Sequence, residues 1–107
     1  MAKRKIDTAV IKSVEKFIAE VSKHYKVDAA FLFGSYAKGI QHKDSDIDVA
    51  IVSSDIKNQF DEIAKLYKYS RGIDLRIEPH PIKTDEYQKI TTPFIDEIIR
   101  TGIPILV

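Results

Sequence analysis

Two short stretches of this chain carry residue types that could do phosphoryl chemistry: Gly34-Ser35, and Asp46-Ile47-Asp48, with residues 36–45 between them. In an extended strand, residues i and i+2 share a face. Asp46 and Asp48 would therefore project side by side, while Ile47 and Val49 point into the core. Neighbouring carboxylates repel unless a cation lies between them, and hard oxygen donors of this kind suit Mg²⁺ or Mn²⁺. A Gly-Ser turn at the end of an apolar run offers backbone N–H groups and a hydroxyl to phosphate oxygens. Taken singly, the first stretch reads as a plain turn and the second as the wet face of a strand. Their order, bracketed by two apolar segments, points instead to metal-dependent phosphoryl or nucleotidyl transfer. A calcium-binding EF-hand loop is excluded. Counted from Asp44, it would need Gly at its sixth position and Glu at its twelfth, where Val49 and Asp55 stand.

The elements that position these groups follow from periodicity. Asp7 or Thr8 caps a helix running to about Tyr25, with Val10, Ile11, Val14, Phe17, Ile18 and Val21 at helical spacing and Lys12, Glu15, Lys16, Glu20 and Lys23 on its wet side. Ala29–Phe33 is a first strand, apolar throughout, as expected where both faces are covered. A brief helical turn follows Gly34-Ser35. Gly39 then frees the backbone for a polar loop, Ile40–Ser45, in which His42 and Lys43 read as solvated. Asp46–Ser53 is a second strand, and Asp55–Tyr69 a second helix with Tyr67 and Tyr69 in the core or at its margin. Ile73–Glu78 reads as a third strand, with Ile73, Leu75 and Ile77 facing one way and Asp74, Arg76 and Glu78 the other. His80, between Pro79 and Pro81, reads as a loop residue. A short helix at Thr84–Lys89 precedes one capped by Thr92, with Pro93 at its first position and Phe94, Ile95, Ile98 and Ile99 as its buried stripe. Gly102 stops that helix, and Ile103–Val107 forms a last strand. The order implies an α/β (α+β) sandwich: a small mixed sheet with helices packed on one side.

At 107 residues the chain is read as a single domain, 1–107. Its hydrophobic content of 44% and charged content of 31% fit a globular protein. A net charge of +1 gives no general pull towards nucleic acid, and the basic start Lys3-Arg4-Lys5 reads as a solvated terminus. No cysteine is present, which excludes a disulfide framework and thiolate metal sites. No apolar run reaches membrane-spanning length and no secretory signal is visible, so a cytoplasmic protein is expected.

Gly34-Ser35-Tyr36-Ala37-Lys38-Gly39 and Ser45-Asp46-Ile47-Asp48 together resemble the signature of the nucleotidyltransferase superfamily that includes DNA polymerase beta. Nearly the whole chain is similar to its smallest members, the minimal nucleotidyltransferases (MNT), commonly the antitoxin halves of HEPN–MNT toxin–antitoxin pairs. The resemblance implies the nucleotidyltransferase fold and two divalent ions, Mg²⁺ or Mn²⁺, held by Asp46, Asp48 and a third carboxylate on the neighbouring strand. Asp74 matches that third slot by order, with Glu78 as the second candidate. It further implies ATP as substrate, held by Gly34, Ser35, Lys38 and Ser45. Lys38 stands where many relatives have Arg, which keeps the charge but loses the planar two-pronged phosphate contact. The acceptor implied is a HEPN-type toxin carrying a hydroxyl that receives AMP. Two other readings stay open: a binding module that neutralises its partner by covering it, and a nucleotidyltransferase acting on a small molecule such as an antibiotic.

Overall fold

A computed structural model describes residues 6–42 and 44–106. The basic start, Lys43 in the polar loop and Val107 lie outside the described residues. Nine elements follow in order: α1 (Thr8–Val21), β1 (Val27–Phe33), α2 (Ser35–Lys38), β2 (Ile47–Ser53), α3 (Gln59–Ser70), β3 (Ile77–Lys83), α4 (Thr84–Lys89), α5 (Pro93–Thr101) and β4 (Ile103–Ile105). The sheet has four strands in the order β3-β2-β1-β4. β1 runs antiparallel to β2 and to β4, whereas β2 and β3 are parallel, so the sheet is mixed, as expected.

Local chemistry explains the boundaries. Asp7 caps α1 by accepting a hydrogen bond from the Ala9 amide. Thr92 caps α5 through the Ile95 amide, with Pro93 in the first turn where a missing N–H costs nothing. α3 starts later than its apolar spacing suggests. Asn58 is its cap, and the Asp55 carboxylate accepts instead from the Lys26 amide at the head of β1.

The largest departure from the sequence reading is β3, which begins at Ile77 rather than Ile73. Asp74 turns the chain locally: its carboxylate accepts from the backbone N–H of Arg76, and the Ile77 amide bonds to the Asp74 carbonyl. The strand then runs through both prolines. The Arg76 carbonyl accepts from the Ile47 amide, so residues 76, 78, 80 and 82 direct their backbone groups at β2. Pro79 and Pro81 fall on the alternate positions, whose backbone faces outward from the edge, and the Pro81 carbonyl indeed accepts from the Gln59 side chain. No ladder bond is lost to either proline.

Alternation along the strands divides the core in two. Leu32, Ile47, Val49, Ile51 and Ile77 pack under Val10, Val14, Phe17 and Val21 of α1 and Leu66 of α3. On the other face Phe31, Phe33, Ala50, Val52 and Ile82 meet Ile95 and Ile98 of α5. The two long helices share one side, as expected, and α5 adds a smaller cover on the other. Only Ile95 and Ile98 of its apolar residues are buried; Phe94 and Ile99 are partly exposed. Leu66 is fully buried between α3 and the sheet. Leu66→Ala should lower the unfolding free energy by about 2–5 kcal/mol, measured from the shift in urea midpoint at unchanged slope.

Candidate active site

The site is built where β1 ends and β2 begins. Phe33 at the end of β1 pairs with Asp48 of β2. The chain then turns through Gly34, whose φ of 74° lies in the left-handed region, and enters the short helix α2. A Cβ at position 34 would overlap Oδ2 of Asp48. Glycine is therefore required twice, by its backbone angle and by the carboxylate lying against it. Ser35, Ser45, Asp46, Asp48, Ile40, His42 and Asp44 line an open cleft of about 480 Å³ beside this turn. Ser45 is buried, and its hydroxyl accepts from the His42 amide, closing the polar loop onto the start of β2.

Asp48 and Glu78 are partners in the parallel register of β2 and β3, so their side chains leave the same face of the sheet. Asp46 is in hydrogen-bonding contact with Glu78. Two carboxylates on adjacent strands thus stand together, and Asp46, one residue before β2, adjoins Glu78. Burial pushes the Glu78 carboxyl above its usual range, and the charge of Asp48 and the contact with Asp46 push the same way, while His80 opposes them. His80 stands one pleat further along β3, with Nε2 3.1 Å from Asp48 Oδ1 and 3.9 Å from Glu78 Oε1. Ligand atoms of Asp48, Glu78 and His80 all lie within 4.8 Å of one another. Tyr67 of α3 borders the cluster: burial first, then Glu78, Asp46 and Asp48, raise its hydroxyl pKa. Asp74 is held elsewhere. Its carboxylate binds the Arg76 guanidinium (Nη2 at 2.9 Å, Nε at 3.1 Å) and is also hydrogen-bonded by Ser13 of α1. Arg76 in turn donates to the Tyr36 hydroxyl at 3.2 Å, tying this turn to α2.

The sequence profile of the family described as "Polymerase beta, Nucleotidyltransferase" matches residues 15–107. The chain belongs to this nucleotidyltransferase family. It is 35% identical over 101 residues to a candidate protein adenylyltransferase of Methanocaldococcus jannaschii, spanning 90% of this chain and 95% of that one. It is 45% identical over 53 residues to the protein adenylyltransferase MntA of Shewanella oneidensis, but that match spans 50% of this chain and 38% of MntA. Among solved structures it is similar in fold to a chain of a toxin–antitoxin complex crystallised with AMP-PNP, at a TM-score of 0.59 and 21% identity, covering 90% of this chain and 72% of that one.

In this nucleotidyltransferase the geometry separates the sequence-derived site residues. Gly34, Ser35, Ser45, Asp46 and Asp48 gather at one cleft. Asp74 does not join them. Because β3 starts three residues after it, Asp74 sits in a turn facing α1 and Arg76, and Glu78, the second candidate, stands beside Asp48 instead. Lys38 points to α5, where its Nζ pairs with Glu97 at 2.9 Å, and it does not line the cleft. His80 is a strand residue rather than a loop residue. The parity of Pro79 and Pro81 could have revealed it: two prolines at i and i+2 are compatible with an edge strand whose even-numbered residues do the bonding.

The opposite shifts of the two acidic residues give opposite pH signatures. The Arg76 hydrogen bond holds Asp74 below its ordinary value of 3.8, so its contribution is present above that pH and lost as pH falls through the lower folded value. Glu78 is raised above 4.5, so its ionised form costs stability at neutral pH, and the cost vanishes below 4.5. In metal-free protein, Asp74→Asn should lower the melting temperature near pH 7, and Glu78→Gln should raise it. In calorimetric scans the Glu78→Gln difference should vanish below pH 4.5, and the Asp74→Asn difference should begin to shrink only below pH 3.8.

Proposed function

We propose that this nucleotidyltransferase moves AMP from ATP to a hydroxyl of a partner protein, as the antitoxin of a HEPN–MNT pair. The observation that carries this reading is the convergence of Asp46, Asp48 and Glu78 beside the Gly34-Ser35 turn. The name protein adenylyltransferase borne by relatives, and the likeness to an antitoxin complex holding an ATP analogue, support it. Residues 1–107 act as one catalytic domain, and the cytoplasm, where ATP and a toxin would meet it, is its compartment.

The donor set fits divalent ions. Hard carboxylate oxygens converge on one spot; burial raises Glu78 first, and the charges of Asp48 and Asp46 add to it, a cost that a cation would relieve. Asp46, Asp48 and Glu78 would hold a pair of Mg²⁺ or Mn²⁺ ions. Bound there, such ions supply charge neutralisation for the phosphates and the attacking oxygen. Gly34 lets the backbone approach the triphosphate closely, and Ser35 offers its amide and hydroxyl. Ser45 fixes the loop that forms the cleft wall. Asp48 is anchored against Gly34 and oriented by His80, so its oxygens are set before substrate arrives. The acceptor oxygen bonds to the α-phosphorus, the bond to the bridging oxygen of pyrophosphate breaks, and the acceptor proton passes to a carboxylate of the cluster. Lys38 keeps α2 against α5 through Glu97 and is outside the phosphate contacts.

Incubation with ATP, Mg²⁺ and the cognate toxin should add one AMP group to the toxin, read by intact mass. Asp48→Asn or Glu78→Gln should slow this at least about a hundredfold, a barrier rise of about 2.7 kcal/mol. Asp74→Asn should stay within about threefold. An active partner that gains no AMP, or protection that survives Asp46→Asn with Asp48→Asn, would leave a binding module in place of an enzyme.

A further inference from the structure

The imidazole of His80 is the one nitrogen donor in the Asp48–Glu78–His80 group. We propose that Nε2 of His80 is a ligand of the ion held by Asp48 and Glu78, and that this makes the centre a mixed nitrogen–oxygen site selecting Mn²⁺ over Mg²⁺. The inference rests on the reading that these carboxylates hold a divalent cation.

Geometry carries it. Two ligands about 2.1 Å from an octahedral ion stand about 3.0 Å apart when adjacent and about 4.2 Å apart when opposite. His80 Nε2 is 3.1 Å from Asp48 Oδ1, an adjacent pair, and 3.9 Å from Glu78 Oε1, within the same range. All three ligand atoms lie within 4.8 Å of one another, so small side-chain rotations, with the strands as they stand, would bring them onto one ion. The ring is held in this pose. His80 pairs in register with Ala50, whose small side chain leaves room above the sheet. Phe33 packs edge-on at 4.8 Å between ring centroids, and Phe94 lies 5.9 Å from the imidazole and 5.5 Å from Phe33, so the three rings form one cluster. The chemistry then favours one metal. Mg²⁺ keeps its water shell and prefers oxygen, whereas imidazole binds later first-row ions more tightly, and Mn²⁺ accepts both donors.

The alternative role is outside the coordination shell, with His80 only orienting Asp48 through a hydrogen bond. Both roles would lower metal affinity on mutation, so the decisive readout is spectroscopic. Protein loaded with one equivalent of Mn²⁺ should show ¹⁴N modulation in pulsed electron spin echo spectra. The modulation should persist in His42→Ala, which removes the other imidazole near the cleft, and disappear in His80→Ala. His24 is stacked on Tyr69 at 4.4 Å and takes no part in the cluster. If His80→Ala does not fold, ¹⁵N-histidine labelling of the His42→Ala protein makes the assignment, because the ¹⁴N pattern should be replaced by ¹⁵N. By calorimetry, the ratio of Mg²⁺ to Mn²⁺ dissociation constants should fall at least about tenfold in His80→Ala. Mn²⁺ bound with no nitrogen modulation overturns the proposal and leaves the carboxylate site intact. Wild-type protein that binds no Mn²⁺ overturns both this proposal and the metal-dependent reading beneath it.

Discussion

Everything at this site depends on the parallel register between β2 and β3. It sets Asp48 level with Glu78 and Ala50 level with His80. Side chains alternate strictly across a strand, so a shift of one residue would send Glu78 and His80 to the opposite face. The register is defended by burial rather than by the site. Ile47 and Ile77 are paired partners, both almost completely buried, and both contact the core beneath α1 and α3. The repulsion among the carboxylates is thus imposed on a strand pair that apolar packing has already fixed.

The two faces of the sheet divide the labour. One is sealed by α1 and α3 and contributes most of the fully buried side chains. The other is only partly covered by α5, and it is this face that carries Asp48, Glu78 and His80 at its open end. Short links connect the two. Tyr36 of α2 is buried with the α1 core while the residues just before it form the turn under Asp48, and Arg76 joins Tyr36 to Asp74. Asp74 and Arg76 are in this sense a clasp on the sealed side.

Much of this was legible in the sequence because the relevant signals are local. The Gly-Ser turn, the Asp-x-Asp strand, the Asp7 and Thr92 caps and the mixed sheet each rest on short-range patterns. Asp74 was misleading for a physical reason. The alternation Ile73, Leu75, Ile77 looks like a half-buried strand, yet Leu75 is largely exposed, because the Asx-type turn at Asp74 wins over the extended pairing. Glu78 was legible as the second candidate, whereas His80 was obscured by prolines that, from composition alone, argue against a strand. The i, i+2 parity of Pro79 and Pro81 leaves an edge strand open, and the position of β3 at the sheet edge, a tertiary fact, decides for it. The Lys38–Glu97 pair, spanning most of the chain length, leaves no mark on local pattern either.

The outward-facing prolines of β3 reach beyond their own strand. An unprotected sheet border can recruit a foreign strand and extend itself. Here the amide hydrogens such an addition would need are missing at positions 79 and 81, and the Pro81 carbonyl is already engaged by Gln59. Backbone-to-backbone annealing along this border is therefore closed off.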